Sequence, residues 1–306
     1  MEKVIDLRAN GKLLITGEYL VLAGAKALAL PVKFGQCLHA HPQKNRLLHW
    51  TSFQPDNKWF ECILNPDNLE IESASNPEIV RQLIRLIDAA RKLNPEFLLG
   101  PGGYIVTTEL NYPVQWGLGS SSTIISMVAD WAGVDAFDLF RLVSNGSGYD
   151  IACAKRNTPL FYKLCEGKPV IQVAIPGTAL RKYAFFSWLG NKHQSKDEVH
   201  AFRNNYRHSD RDIELISSLS EMITAEGNVE HLCRMVNEHE RILGVILKRE
   251  PLARRFPGFP GVVKSLGAWG GDFAMFVSDS DPREVKNYLT LNNLRDVFTF
   301  DEIKAN

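Results

Sequence analysis

The sequence has no excess of charge of either sign: across 306 residues, 35 lysines and arginines face 35 aspartates and glutamates, for a formal net charge of zero. Without a global field there is nothing to gather nucleic acid or an anionic membrane, and a small ligand met in a local pocket is the partner that composition favours. Long apolar runs are missing too. No stretch approaches the roughly 18 consecutive apolar residues of a membrane helix, and the opening MEKVIDLRANGKLLITGEY has no basic start leading into an apolar core. A cytoplasmic location is the resulting expectation. Cysteine is scarce: Cys37, Cys62, Cys153, Cys165 and Cys233 are odd in number and widely spaced, with no CxxC pair to suggest zinc or a redox couple. Reduced core residues are the reading they leave.

What is present is an ordinary globular composition, 45% hydrophobic and 23% charged, with enough chain for one large domain or two modest ones. Short apolar runs, LLIT, YLVL and ALALPV, are separated by glycines over the first thirty residues, which predicts an opening β-hairpin or meander. From Asn76 the period changes: Pro77 follows a possible Asn cap, and Ile79, Leu83, Ile87 and Ala90 recur at helical spacing up to Lys92. YIVTTEL then alternates as a strand. After about residue 158 strand texture returns in LFYKL, VIQVAI and YAFFSW, followed by helical patterns at 210–225 and 228–248. A hairpin-like VVKSLGAWGGDFAMFV precedes a helix opened by Asp281 and Pro282. Strands and helices without regular βαβ alternation predict an α+β fold. The segments around 41–60 and 190–212 are the least patterned and are expected to hold ligand-contacting loops.

Four stretches carry residues suited to chemistry. Gly117-Leu118-Gly119-Ser120-Ser121-Ser122 lies between a strand signal and an apolar helical run. Glycines let successive N–H groups converge, the helix start adds partial positive charge, and hydroxyls donate further, which together make a phosphate cradle. A glycine turn with a serine cap is the plainer alternative, and the missing Gly-Lys-Ser/Thr ending excludes an ordinary P-loop. In Ser147-Gly148-Tyr149-Asp150 the aspartate either serves as a rigidly held base or caps the next helix. Lys12 is either a phosphate partner or a solvated edge charge, and Glu18 and Tyr19 add a carboxylate and a phenol nearby in sequence. Gly270-Gly271-Asp272 closes a second glycine turn. His39 and His41 share a strand face, yet no third ligand follows nearby, which argues against metal there.

Taken in order, GKLLITGEYLVL, WGLGSSST, GSGYDIA and GAWGGDF resemble the GHMP kinase superfamily, over nearly the whole chain. Phosphomevalonate and mevalonate kinases look nearest, with GEY standing where mevalonate kinases usually have GEH, and SWLGNKHQSKDEV is similar to a loop on the substrate side of that group. The resemblance implies an N-terminal ATP-binding α+β domain related to a ribosomal-protein module over residues 1–158 and a C-terminal ferredoxin-like domain over 159–306. It also implies roles. Gly117 to Ser122 would hold the phosphates of ATP, Ser121 would help bind Mg²⁺, Asp150 would take the proton of the attacking oxygen, and Lys12 would offset charge on the transferred phosphoryl group. Glu18, Tyr19, Ser147, Gly148, Lys192, Gly270, Gly271 and Asp272 would face or enclose a small-molecule acceptor. Two departures stand out. Leu139 occupies the place where many members carry a second metal-shell glutamate, and the bulky Trp269 interrupts the last glycine loop. Three activities fit the motif set: a kinase acting on an isoprenoid precursor such as 5-phosphomevalonate or mevalonate, a nucleotide- or metabolite-binding protein without turnover, and a mevalonate diphosphate decarboxylase. A monomer and a homodimer both fit.

Overall fold

Capping chemistry sets the helix starts. The Asn76 side chain accepts the Ile79 N–H at 3.3 Å with Pro77 in the first helical position, opening α1 (Pro77–Leu93). Ser209 and Asp212 form a reciprocal capping box at the start of a later helix, and Asp281 followed by Pro282 opens another. The computed structural model describes residues 4–190, 202, 206–267 and 272–306. The chain forms a mixed α+β fold with a large mixed sheet and a second, smaller one, and it divides into two units.

Unit 1 takes residues up to Gly11, Phe34–Val114 and Leu118–Lys155. Its strands are β2 (Ala27–Gln43, from Phe34 onward), β3 (Leu48–Gln54), β4 (Asn57–Leu64), β5 (Ile71–Ala74) and β6 (Gly103–Leu110), joined in the order β5-β4-β3-β6-β2. β3 and β6 run parallel and the other pairs antiparallel. The segment around 41–60, expected to be loop, is therefore largely strand: β3 and β4 pair from Leu48↔Leu64 to Gln54↔Asn57 around a tight turn. Polar Lys58 and Glu61 on the exposed positions, and a polar Ser52 at a buried one, obscure the alternation that buries Trp50, Phe60 and Cys62. Helix α1 and α2 (Ser120–Ala132), α3 (Ala136–Val143) and α4 (Tyr149–Ala154) pack with these strands through one core that includes Leu38, Trp50, Val80, Ile87, Val106, Met127, Val128 and Leu139.

Unit 2 takes Lys12–Lys33, Gln115–Gly117 and Arg156–Asn306. The last residues of β1 (Ile5–Leu14) enter it, and a 3-10 turn at Leu20–Ala23 follows where YLVL suggested a strand. Gly17 and Gly24, both with positive φ, bracket that turn and prevent it from extending. The first residues of β2 pair with β7 (Leu160–Cys165), and β7 pairs with β8 (Lys168–Val173). Residues 304 and 305 return to β2: the Ala305 N–H donates to the Pro31 carbonyl at 2.9 Å beside a bridge between Val32 and Lys304.

The smaller sheet has the antiparallel order β10-β11-β9-β12, from β9 (Ala184–Trp188), β10 (Val262–Leu266), β11 (Phe273–Val277) and β12 (Val297–Thr299). Its helices are α5 (Thr178–Tyr183), α6 (Asp210–Ala225), α7 (Val229–Leu247), α8 (Pro282–Leu291) and α9 (Phe300–Ile303). Among the described residues the succession β9, α6, α7, β10, β11, α8, β12 is a split βαβ arrangement, closed by a core of Phe185, Val263, Ala274, Phe276, Val285 and Leu289.

Candidate functional site

Within unit 1, Gly119 adopts φ +101° and ends the glycine loop, so that Ser120 becomes the first residue of α2. The serine cap considered from the sequence is absent: the cap position is glycine, and among the described residues no side chain caps the helix. The Ser122 hydroxyl donates back to the Gly119 carbonyl at 2.8 Å, and Thr123 Oγ1 lies 2.7 Å from buried Gln36 Oε1, which ties the first turn to β2. The first-turn N–H groups and the positive end of the helix are left to serve an anion, with the exposed Ser121 hydroxyl beside them. For a divalent cation Ser121 offers one oxygen ligand, which suits Mg²⁺ when phosphate oxygens and water complete its shell.

Asp150 belongs to the same unit. Gly148, at φ +88°, is the N-cap of α4, and half-buried Asp150 sits second in the helix, its Oδ1 accepting the Ile151 N–H at 3.1 Å. The carboxylate is thus inside the first turn and does not occupy the cap position. Helix α4 packs on α2, and Lys155 at its end pairs with Asp130 near the end of α2. Leu139 on α3 is fully buried in the apolar core, and Asp138 faces solvent, paired with Arg141. Neither supplies a second carboxylate, and no group of three or more His, Cys, Asp or Glu is placed for a metal among the described residues, His39 and His41 included.

Unit 2 brings three of the four sequence motifs together. Lys12 Nζ donates to the Gly117 carbonyl at 3.0 Å, so this lysine is neither a simple edge charge nor fully exposed. Gly117 has φ +69°, and a Cβ there would lie 2.3 Å from Asp272 Oδ2: only glycine lets the loop approach that carboxylate. Asp272 is buried and its carbonyl accepts the Leu189 N–H at 2.9 Å. Trp116, one residue earlier, packs edge-on against Phe273 and Phe298.

Glu18 and Tyr19 are buried as well. The Glu18 carboxylate forms an ion pair with Lys264 on β10, and burial pushes its pKa up to about 7 against the opposing pull of that lysine. Tyr19 stacks on Phe202 with ring centroids 5.3 Å apart. Lys192, Gly270 and Gly271, with Ser195 and Trp269, lie outside the described residues.

No family model and no curated protein sequence matches the chain. Solved structures do. The mevalonate kinase of Methanococcus jannaschii superposes over 100% of this chain and 99% of its own with a TM-score of 0.70 at 14% identity. The phosphomevalonate kinase of Streptococcus pneumoniae, in complex with phosphomevalonate and AMPPNP, covers 97% and 100% with a TM-score of 0.68 at 18% identity. The fold is that of the GHMP kinases. The galactokinase of Lactococcus lactis, complexed with galactose, shares it at 12% identity, with a TM-score of 0.66 over 99% of this chain and 94% of that one. A GHMP kinase fold across the whole chain is what the four ordered motifs implied.

Sequence reasoning assigned no role to the partners of Glu18. His239 and Glu240, adjacent on α7, are buried beside it, the imidazole Nε2 3.6 Å from Glu18 Oε2. Leu232, Val236, Leu243 and Ile246 mark the inward face of α7, and a histidine and a glutamate on that face were the visible signal. Their partner Glu18 is more than 200 positions away, which no local pattern reports.

Proposed function

We propose that this protein is an ATP- and Mg²⁺-dependent small-molecule kinase of the GHMP type, acting on an alcohol or phosphate acceptor, with 5-phosphomevalonate the first candidate and mevalonate the second. The observation that carries the reading is the glycine loop opening α2 with no side-chain cap, in the same unit as Asp150 at the start of α4, in a chain that has the GHMP kinase fold from end to end. Phosphoryl transfer passes through a loose transition state that asks for positioning and charge neutralisation more than covalent help.

On this reading the N–H groups of residues 118–122 bind the ATP phosphates, and Ser121 contributes to holding Mg²⁺, which supplies positive charge at those phosphates. Asp150 accepts the proton of the attacking oxygen as the new P–O bond forms and the bond to ADP breaks. Lys12, held against Gly117, offsets charge on the transferred group. Tyr19, Ser147, Gly148, Lys192, Gly270, Gly271 and Asp272 face or enclose the acceptor, and residues 1–158 and 159–306 are the N-terminal ATP-binding and C-terminal ferredoxin-like domains. A cytoplasmic monomer or homodimer completes the proposal.

One observation favours a second reading, a binding protein without turnover: Leu139 is packed in the core and Asp138 is engaged with Arg141, so the metal shell has no second carboxylate from α3. The deciding experiment measures Mg²⁺-dependent ATP consumption against 5-phosphomevalonate, mevalonate, homoserine, galactose and a mevalonate diphosphate, with Asp150→Asn alongside. Turnover on one acceptor, lowered by about 10²- to 10⁴-fold in Asp150→Asn with nucleotide binding kept, is the expected result. CO₂ release from the diphosphate moves the assignment to a decarboxylase. Nucleotide binding with no turnover on any acceptor removes the kinase reading.

A further inference from the structure

We propose that His239, Glu18 and Lys264 form a buried positioning network that holds the Gly17–Tyr19 turn in a single strained conformation, keeping Lys12 and Tyr19 in place for phosphoryl transfer. The inference rests on the kinase reading for its catalytic half and on unit 2 alone for its structural half. Tyr19 has φ +60° and ψ −47°, a backbone region that L residues rarely occupy. Such strain persists only where the surroundings over-determine it. Here three consecutive residues are each restrained by a different partner. The Gly17 N–H donates to His239 Nε2 at 3.1 Å, Glu18 pairs with Lys264, and Tyr19 stacks on Phe202.

The protonation states follow from the contacts. Because Nε2 accepts the Gly17 N–H, the imidazole carries its proton on Nδ1 and is neutral, in keeping with burial and the Lys264 charge, which hold its pKa well below the usual value. Lys264 is fully buried, and its ammonium donates both to Glu18 and to the Ser265 carbonyl at 2.9 Å. Next to His239, Glu240 accepts the Ser265 N–H through Oε1 at 3.2 Å. Helix α7 therefore grips two motifs with two adjacent side chains: His239 holds the turn that follows the Lys12 strand, and Glu240 holds the end of β10, which runs toward the last glycine loop.

Buried ion pairs are poor sources of stability, since apolar side chains of similar volume often replace them at no loss. A pair without solvent exposure, converging with a histidine on one strained turn, is better accounted for by the geometry it fixes. Among the described residues Glu18 Oε2, His239 Nδ1, Glu240 Oε2 and Ser265 Oγ have no hydrogen-bond partner, so the cluster carries unmet polar groups that a purely structural filler would omit.

The test compares His239→Leu, His239→Asn and His239→Gln in the full chain, scoring amide exchange at Gly17 and, on folded protein well below its melting temperature, kcat and KM. Glutamine can place Oε1 where Nε2 stands, whereas asparagine stops short of it. His239→Leu and His239→Asn are expected to speed Gly17 exchange by about tenfold or more and to lower kcat by about 10- to 100-fold with the KM for ATP nearly unchanged. His239→Gln should restore both. Wild-type Gly17 protection in His239→Asn overturns the network, and wild-type kcat in that variant despite faster exchange overturns its role in positioning. If the unmodified protein turns over no acceptor, the kinase reading fails separately and the exchange comparison still decides whether the network holds the turn.

Discussion

The two units solve the problem of a polar interior differently. In unit 1 the buried polar side chains among the described residues are Gln36, Ser52, Thr108, Ser122, Thr123 and Ser126, all neutral, and its described aspartates, glutamates, lysines and arginines are partly or fully exposed. Unit 2 buries Glu18, Glu240, Lys264 and Asp272 together with His239. A neutral hydroxyl or amide needs only a nearby partner, such as Ser52 with Thr108 at 2.7 Å. A buried charge needs a counter-charge and fixed geometry, because its desolvation is compensated only when both are present. The lesson is that unit 1 offers helix starts on an apolar foundation, whereas unit 2 trades some stability for the placement of a lysine and a turn.

The sharpest way to break that contrast is to put a charge where unit 1 has none. Leu139→Glu, which restores in sequence the glutamate that the resemblance implies, should destabilise the fold by on the order of 3–5 kcal/mol or more in urea titrations, because α3 directs this position into the apolar core. An unchanged midpoint would show that α3 can turn the side chain outward. In unit 2, Lys264→Met strands the Glu18 carboxylate at a pH above about 7, where Glu18 is ionised, and should there cost about 3–5 kcal/mol, while Lys264→Met combined with Glu18→Gln should recover most of that loss. No recovery in the double variant would mean that the cost lies in packing and not in charge.

A pH series sharpens the comparison further. Burial raises Glu18 from 4.5 to about 7, partly countered by Lys264, so the folded state holds a proton there that the unfolded chain has released. The resulting stability is fully present below the unfolded value and is lost as pH rises through about 7. Glu240, raised by burial, acts in the same direction, whereas buried neutral His239 contributes stability that is lost as pH falls below its ordinary range. Glu18→Gln should therefore close the gap to the unmodified protein as pH rises from 5 to about 8, and a gap that widens would reverse the sign assigned to Glu18. The smallest effect belongs to unit 1. Thr123→Val removes the hydroxyl that meets Gln36 and should cost about 1–2 kcal/mol by thermal denaturation, with no dependence on pH in this range.

Much of the fold was legible because its signals are local. The Asn76-Pro77 start, the two long helices of unit 2 and the hairpin of β10 and β11 lie where capping residues and periodicity place them. The misses are equally physical. Helix α5, with only six residues, is too short for a period to register, and β3 and β4 hide their buried positions among polar ones. For the candidate site, glycine loops announce where backbone must curl, which is how Gly117, Gly119 and Gly148 were found. The resemblance implied that Glu18 faces an acceptor, whereas its burial and its tie to Lys264 depend on residues at the far end of the chain.

The return of residues 304 and 305 to Pro31 and Val32 bears on how the protein is made. A ribosome delivers the chain from one end, and the first residues of β2 emerge early without their eventual neighbour. The stretch from Phe34 to Lys155 holds nearly all of unit 1 and can condense while synthesis continues. Ala27 to Ala29 can pair with β7 once residue 162 has emerged, whereas Pro31 and Val32 must wait for translation to reach residue 305, so this apolar segment is completed in two stages separated by much of the chain.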